Sequence, residues 1–125
     1  MHNLAQHIKN NVKNSLDEDI NSGDLTAQLL PATLGAHAQV ITRQTGVLCG
    51  TEWFNECFLT LDPDCKISWQ AKDGDSITPG QKLCEIKGLA RSLLTAERSA
   101  LNLLQTLSGT ATTTRRFVDM VAGIN

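Results

Sequence analysis

The segment Gly88–Gly109 constrains the fold more than any other part of the chain. It reads as one long amphipathic helix. At about 100° per residue, Leu93, Ala96, Ala100, Leu101, Leu103, Leu104 and Leu107 fill about half of its circumference. A face that broad has to lie against a core. Glu97 projects inside the apolar arc, between the directions of Leu104 and Leu101, and Arg98 lies just outside its edge. A carboxylate aimed at a core is costly unless something pairs with it, so the Glu97-Arg98 pair needs a reason to be there.

The rest of the chain supplies partners for that helix. Leu4, Ile8, Val12 and Leu16 recur every four residues, which predicts a surface helix with one apolar stripe. Acidic Asp17–Asp24 ends it, with turn chemistry at Asn21, Ser22 and Gly23, and Asp24 or Thr26 as a cap before Pro31. Ala36–Arg43 alternates, which favours a strand, and Gly46–Gly50 is a short buried strand bounded by glycines. Thr51 is placed to cap a helix carrying Trp53, Phe54, Cys57, Phe58 and Leu61, closed by Asp62-Pro63. Cys65–Lys72 and Gln81–Lys87 alternate again around turns at Asp73-Gly-Asp75 and Thr78-Pro-Gly80. Ser108-Gly109 marks the end of the long helix, and a final helix over Thr110–Ala122 stacks Phe117, Val118 and Val121 on the fold. This order predicts an α+β sandwich with a mixed or antiparallel sheet and helices on one face.

At 125 residues the chain is one domain, long enough to bury roughly two thirds of its unfolded surface. A net charge of −2 and scattered Lys and Arg exclude a basic nucleic-acid stripe. No apolar run approaches a membrane span, and the N-terminus lacks the pattern of a secretory signal. Cys49, Cys57, Cys65 and Cys84 are widely spaced and read as reduced structural thiols. The spacing of His2, His7 and His37 offers no metal site.

Residue types alone leave the chemistry open. Glu97 and Arg98 fit a structural ion pair, or an arginine fork held out to a carboxylate or phosphate. Asp17-Glu-Asp19 with Asp24 lacks the EF-hand spacing and reads as a solvated helix end. Thr112–Thr114 before Arg115-Arg116 fits a plain helix start better than a phosphate site. Ser108 lacks the partners of a nucleophile.

Four segments together resemble one family. They are Glu18–Thr26, Gly46–Gly50, Asp73-Gly-Asp with Gly80–Leu83, and Leu93–Thr112 with its Thr-Ala-Glu-Arg-Ser-Ala-Leu-Asn core. From about Leu16 onward the chain resembles the N-terminal domain of quinolinate phosphoribosyltransferases. The resemblance implies an α/β-hammerhead open sandwich, joined in the family to a C-terminal barrel. It implies conversion of quinolinate and phosphoribosyl pyrophosphate to nicotinate mononucleotide, CO2 and pyrophosphate, with Mg²⁺ held by the barrel. It also implies a cytoplasmic homodimer of NAD biosynthesis in which this domain covers the partner's barrel mouth. Arg98 matches the arginine that reaches the substrate carboxylates, with Glu97 supporting it.

Two departures stand out against that family. Asn21 replaces a more usual glycine, and residues 1–125 stop where the barrel is expected. Two alternatives remain open here: a related phosphoribosyltransferase of another aromatic acid, or a lipoyl- or biotinyl-like carrier, for which Lys72 sits poorly before its turn.

Overall fold

A computed structural model of the chain describes residues 4–122, with side chains over 4–17 and 27–116. Helix α1 spans Leu4–Gln28, α2 Thr51–Leu61 and α3 Ala90–Ala122; strands β1 to β5 span Gly35–Ile41, Gly46–Val47, Lys66–Trp69, Ser76–Ile77 and Lys82–Leu89. Three strands form an antiparallel sheet in the order β1-β5-β3, and β2 pairs with β4 in a small second sheet. The helices pack on one another and on one sheet face, which makes the α+β open sandwich expected from the sequence.

Period-two patterning sets the sheet. Ile67 and Trp69 of β3 and Cys84 and Ile86 of β5 turn toward the helices. His37, Lys87 and Lys66 share a cross-strand row on the other face and are exposed. The alternation expected along β5 fails at one step, where a register shift between Val40 and Ile41 moves the pairing from Cys84 to Lys82. Leu83 and Cys84 are consecutive there and both buried, as a bulge permits.

Aromatic packing ties α2 to the sheet. Phe54 contacts the rings of Phe58 and Trp69 at centroid distances of 5.0 and 5.2 Å. The Trp69 indole N–H donates to Asn55 Oδ1 at 2.8 Å, so the polar edge of the ring is satisfied. Asp62, buried at the end of α2, accepts the Leu89 N–H at 3.0 Å and the Asp64 N–H at 3.2 Å. The backbone of β5 passes so close that a Cβ on Gly88 would lie 2.8 Å from Asp62 Oδ2. Cys57, Cys65 and Cys84 are buried and Cys49 is half-buried, and none of the four forms a disulfide, as read from the sequence. Burial pushes the Cys84 thiol up to about 12.

Three local expectations are corrected. The first helix does not stop at Asn21–Gly23 but continues to Gln28. Ala27 is buried, and Arg91 donates to the terminal carbonyls of Gln28 and Leu30 at 3.2 and 2.6 Å. That places the capping ahead of Pro31, which cannot continue a helix. The side chains of Asn21, Asp24 and Thr26 lie outside the described residues.

Thr51 is not a cap. Gly50 occupies that place with φ 99°, and Asp73 Oδ1 accepts the Thr51 N–H at 3.1 Å from across the loop. Nor does Ser108-Gly109 end the long helix, since α3 runs unbroken for 33 residues. The reason is tertiary: the Ser108 and Thr112 hydroxyls, one turn apart on the same face, bond the β2 strand and its continuation at Val47 and Cys49. That docking outweighs the roughly 1 kcal/mol a mid-helix glycine costs. The side chains of Phe117, Val118 and Val121 lie outside the described residues.

Candidate functional site

The buried sector of α3 is narrower than its apolar sector. Ala96, Ser99 and Ala100 are fully buried, with Leu93 and Leu104 nearly so. Leu101 is only half-buried, and Leu94 remains 37% exposed. Glu97 therefore does not point into the core, contrary to the reading from periodicity; it is exposed. About 20° beyond Leu104 on the helical projection, it sits where burial by α1 and α2 has ended. Desolvation of this carboxylate is avoided rather than compensated.

Arg98 follows on the same side and is exposed. It lines an open concavity of about 560 Å³ with Ser15 of α1 and with Leu94, Glu97, Leu101, Asn102 and Gln105 of α3. The α1 wall forms because Val12 and Leu16 are buried, which turns Ser15 toward the gap. A second, more apolar hollow lies between β1 and the helices, bounded among others by Ala38, Val40, Phe54 and Leu93. Leu94, Glu97 and Leu101 line both hollows, which therefore adjoin along this side of α3.

Other candidates resolve into structure. Thr112 stands in mid-helix, where its hydroxyl donates to the Ser108 carbonyl at 2.7 Å and accepts the Val47 N–H at 2.9 Å. The arrangement lacks the free helix N-terminus that a phosphate site needs. Arg115 donates to the Gly74 carbonyl at 3.4 Å. Ser108 is engaged by the backbone of Cys49, so it is no nucleophile. Asp75 accepts the Lys72 N–H at 2.9 Å, so Lys72 opens the turn and does not stand at the tip that a carrier lysine would need. Among the described residues no three His, Cys, Asp or Glu side chains gather to hold a metal, and no helix is long and apolar enough to cross a membrane. Ser15, Asn102 and Gln105 escaped the sequence reading. The i+4 and i+7 spacing from Arg98 was a usable signal for the last two.

The fold and this surface define an α+β open-sandwich domain that presents an arginine on a rigid helix beside an open hollow. The chain belongs to the quinolinate phosphoribosyltransferase family: residues 24–108 match its model for the "Quinolinate phosphoribosyl transferase, N-terminal domain". Glu97 and Arg98 fall within the matched span, whereas most of Glu18–Thr26 precedes it. A probable nicotinate-nucleotide pyrophosphorylase [carboxylating] of Bacillus subtilis (strain 168) is 39% identical over 101 residues, covering 81% of this chain and 35% of the relative. A mitochondrial quinolinate phosphoribosyltransferase [decarboxylating], 2b, of Nicotiana tabacum is 32% identical over 114 residues, or 90% of this chain and 32% of that protein. The solved nicotinate-nucleotide pyrophosphorylase of Francisella tularensis superposes with a TM-score of 0.88 at 39% identity, over 95% of this chain and 42% of that one. The chain thus spans about a third of the length of the curated relatives it matches.

Proposed function

We propose that this domain caps the substrate in a homodimeric enzyme that joins quinolinate to phosphoribosyl pyrophosphate, giving nicotinate mononucleotide, CO2 and pyrophosphate. The single observation that carries the reading is the position of Arg98, exposed on α3 at an open concavity. Quinolinate is an aromatic dianion. A planar, permanently charged guanidinium can take one carboxylate through two parallel hydrogen bonds. A helix holds that fork more rigidly than a loop does. Glu97 lines the same concavity and in this reading contributes a supporting carboxylate there without entering the core.

In this reading the partner protomer's barrel supplies the reacting centre and the remaining cations. Mg²⁺ is assigned to that barrel as well, as the family resemblance implies. The metal contributes charge neutralisation at the pyrophosphate. The domain's own share is to close the mouth, exclude water and fix a carboxylate. We place the enzyme in a reducing compartment, the cytoplasm, on the strength of four cysteines in the reduced state. The Nicotiana tabacum relative is mitochondrial by name, so cell fractionation decides this point.

The test is steady-state kinetics of the full-length protein with Arg98→Ala and Arg98→Lys. Losing a charge-assisted pair worth about 1.5–3 kcal/mol lowers kcat/KM for quinolinate roughly 10- to 150-fold. Lysine restores little, because it lacks the fork. Unchanged kinetics in both variants refute the role.

A further inference from the structure

We propose that Asn102 is a second specificity-determining residue, donating its side-chain amide to the acidic group that Arg98 leaves free on an aromatic vicinal dicarboxylate. The inference rests on the substrate-capping reading above. Asn102 lies in the interior of α3, is exposed, and lines the same concavity as Arg98. Four residues apart, the two side chains project to the same side of the helix. Helical side chains lean toward the N-terminal turn, so the Asn102 amide leans toward the turn that carries Arg98.

Asparagine is a poor choice for such a position on structural grounds alone. Its short amide competes with the helix backbone, and alanine or glutamine would serve the rod better. In α2 the corresponding cost is recovered, because Asn55 accepts the Trp69 indole N–H at 2.8 Å. Asn102 makes no side-chain hydrogen bond among the described residues. Asn14 inside α1 is exposed in the same way; what sets Asn102 apart is its place in the concavity beside the candidate substrate cation, where its amide faces an external acceptor. The neighbouring Gln105 carries no such anomaly, being a good helix former.

The experiment uses full-length protein carrying Asn102→Ala, Asn102→Asp or Arg98→Ala, assayed with quinolinate and with the monocarboxylate nicotinate, alongside thermal melts. Asn102→Ala is expected to raise KM for quinolinate about 5- to 20-fold, with kcat within about twofold and Tm unchanged or higher. Asn102→Asp sets carboxylate against carboxylate and raises KM further; the preference for the dicarboxylate shrinks in both. KM within about twofold of wild type in both Asn102 variants, while Arg98→Ala is impaired, overturns this proposal and leaves the Arg98 reading standing. A lowered Tm with parallel losses in kcat in Asn102→Ala assigns the residue a structural role and also overturns it. Wild-type kinetics in Arg98→Ala overturn the parent reading and this one together.

Discussion

Ser108 Oγ lies 3.0 Å from the amide nitrogen of Cys49 and 3.0 Å from its carbonyl oxygen, bridging residues 59 positions apart. One hydroxyl accepts the N–H and donates to the C=O, doing for this stretch what a neighbouring strand does elsewhere in a sheet. Thr112, one turn on, accepts the Val47 N–H while donating to the Ser108 carbonyl. The small β2–β4 sheet is thereby fastened to α3 through backbone groups that side-chain identity on β2 does not control.

Replacing Ser108 by alanine strands two partly buried backbone groups and is expected to cost about 1–3 kcal/mol. Thr112→Val, which keeps the shape, removes both the acceptor for the Val47 N–H and the donor to the Ser108 carbonyl, and costs at least about 1 kcal/mol. Because Thr112 also bonds the Ser108 carbonyl, the pair should be non-additive in a double-mutant cycle by urea unfolding. A loss below about 0.5 kcal/mol for Ser108→Ala would show that the clamp is not stabilising.

Two glycines should respond in opposite directions. Gly109 sits inside α3 with open space where a methyl group would stand, so Gly109→Ala stabilises by about 0.5–1 kcal/mol. Gly50 has φ 99°, and a Cβ there would meet Leu107 Cδ1 at 2.8 Å. Gly50→Ala therefore combines backbone strain with a steric clash and costs about 2–4 kcal/mol. Thermal melts of both variants check the contrast, and a drop in Tm for Gly109→Ala would contradict it.

Glu85 supplies the pH dependence. A hydrogen bond from Lys82, then the charges of Lys82 and His37, hold its carboxyl below the ordinary value of 4.5. A depressed carboxyl favours the folded state above pH 4.5, and that contribution vanishes as the pH falls through the folded value. Wild type should therefore exceed Glu85→Gln in denaturation midpoint at pH 7 by a small margin that salt reduces. The margin should close on acidification. A gap that widens toward pH 3 would mean the carboxylate is not stabilising.

Much of the architecture was legible because it follows from period. The four-residue stripe through Ile8, Val12 and Leu16 and the helical spacing of Phe54, Cys57 and Phe58 each encode one buried face; the alternation of Ala36 to Arg43 gave a strand over Gly35–Ile41, although only Val40 of it is even half-buried. What stayed hidden depends on contacts distant in sequence. Asn21–Gly23 and Ser108-Gly109 carry genuine local stop chemistry, overridden where Arg91 caps α1 and where Ser108 and Thr112 anchor α3. The two-residue β4 is too short to show alternation. Arg98 was singled out by resemblance and by residue type, whereas the exposure of Glu97 could not be read from the helical wheel. An apolar arc shows what a helix is able to bury, and neighbouring elements decide how much of it they cover.

The continuity of α3 ties two distant places together. Ten residues separate Arg98 from Ser108, about 15 Å along a single rod. A tilt of roughly 5° at the β2 anchor swings the far end through about 1 Å over that length, a displacement large enough to matter for a reacting geometry. Substitutions around Cys49 thus have a mechanical route to the position of the Arg98 guanidinium.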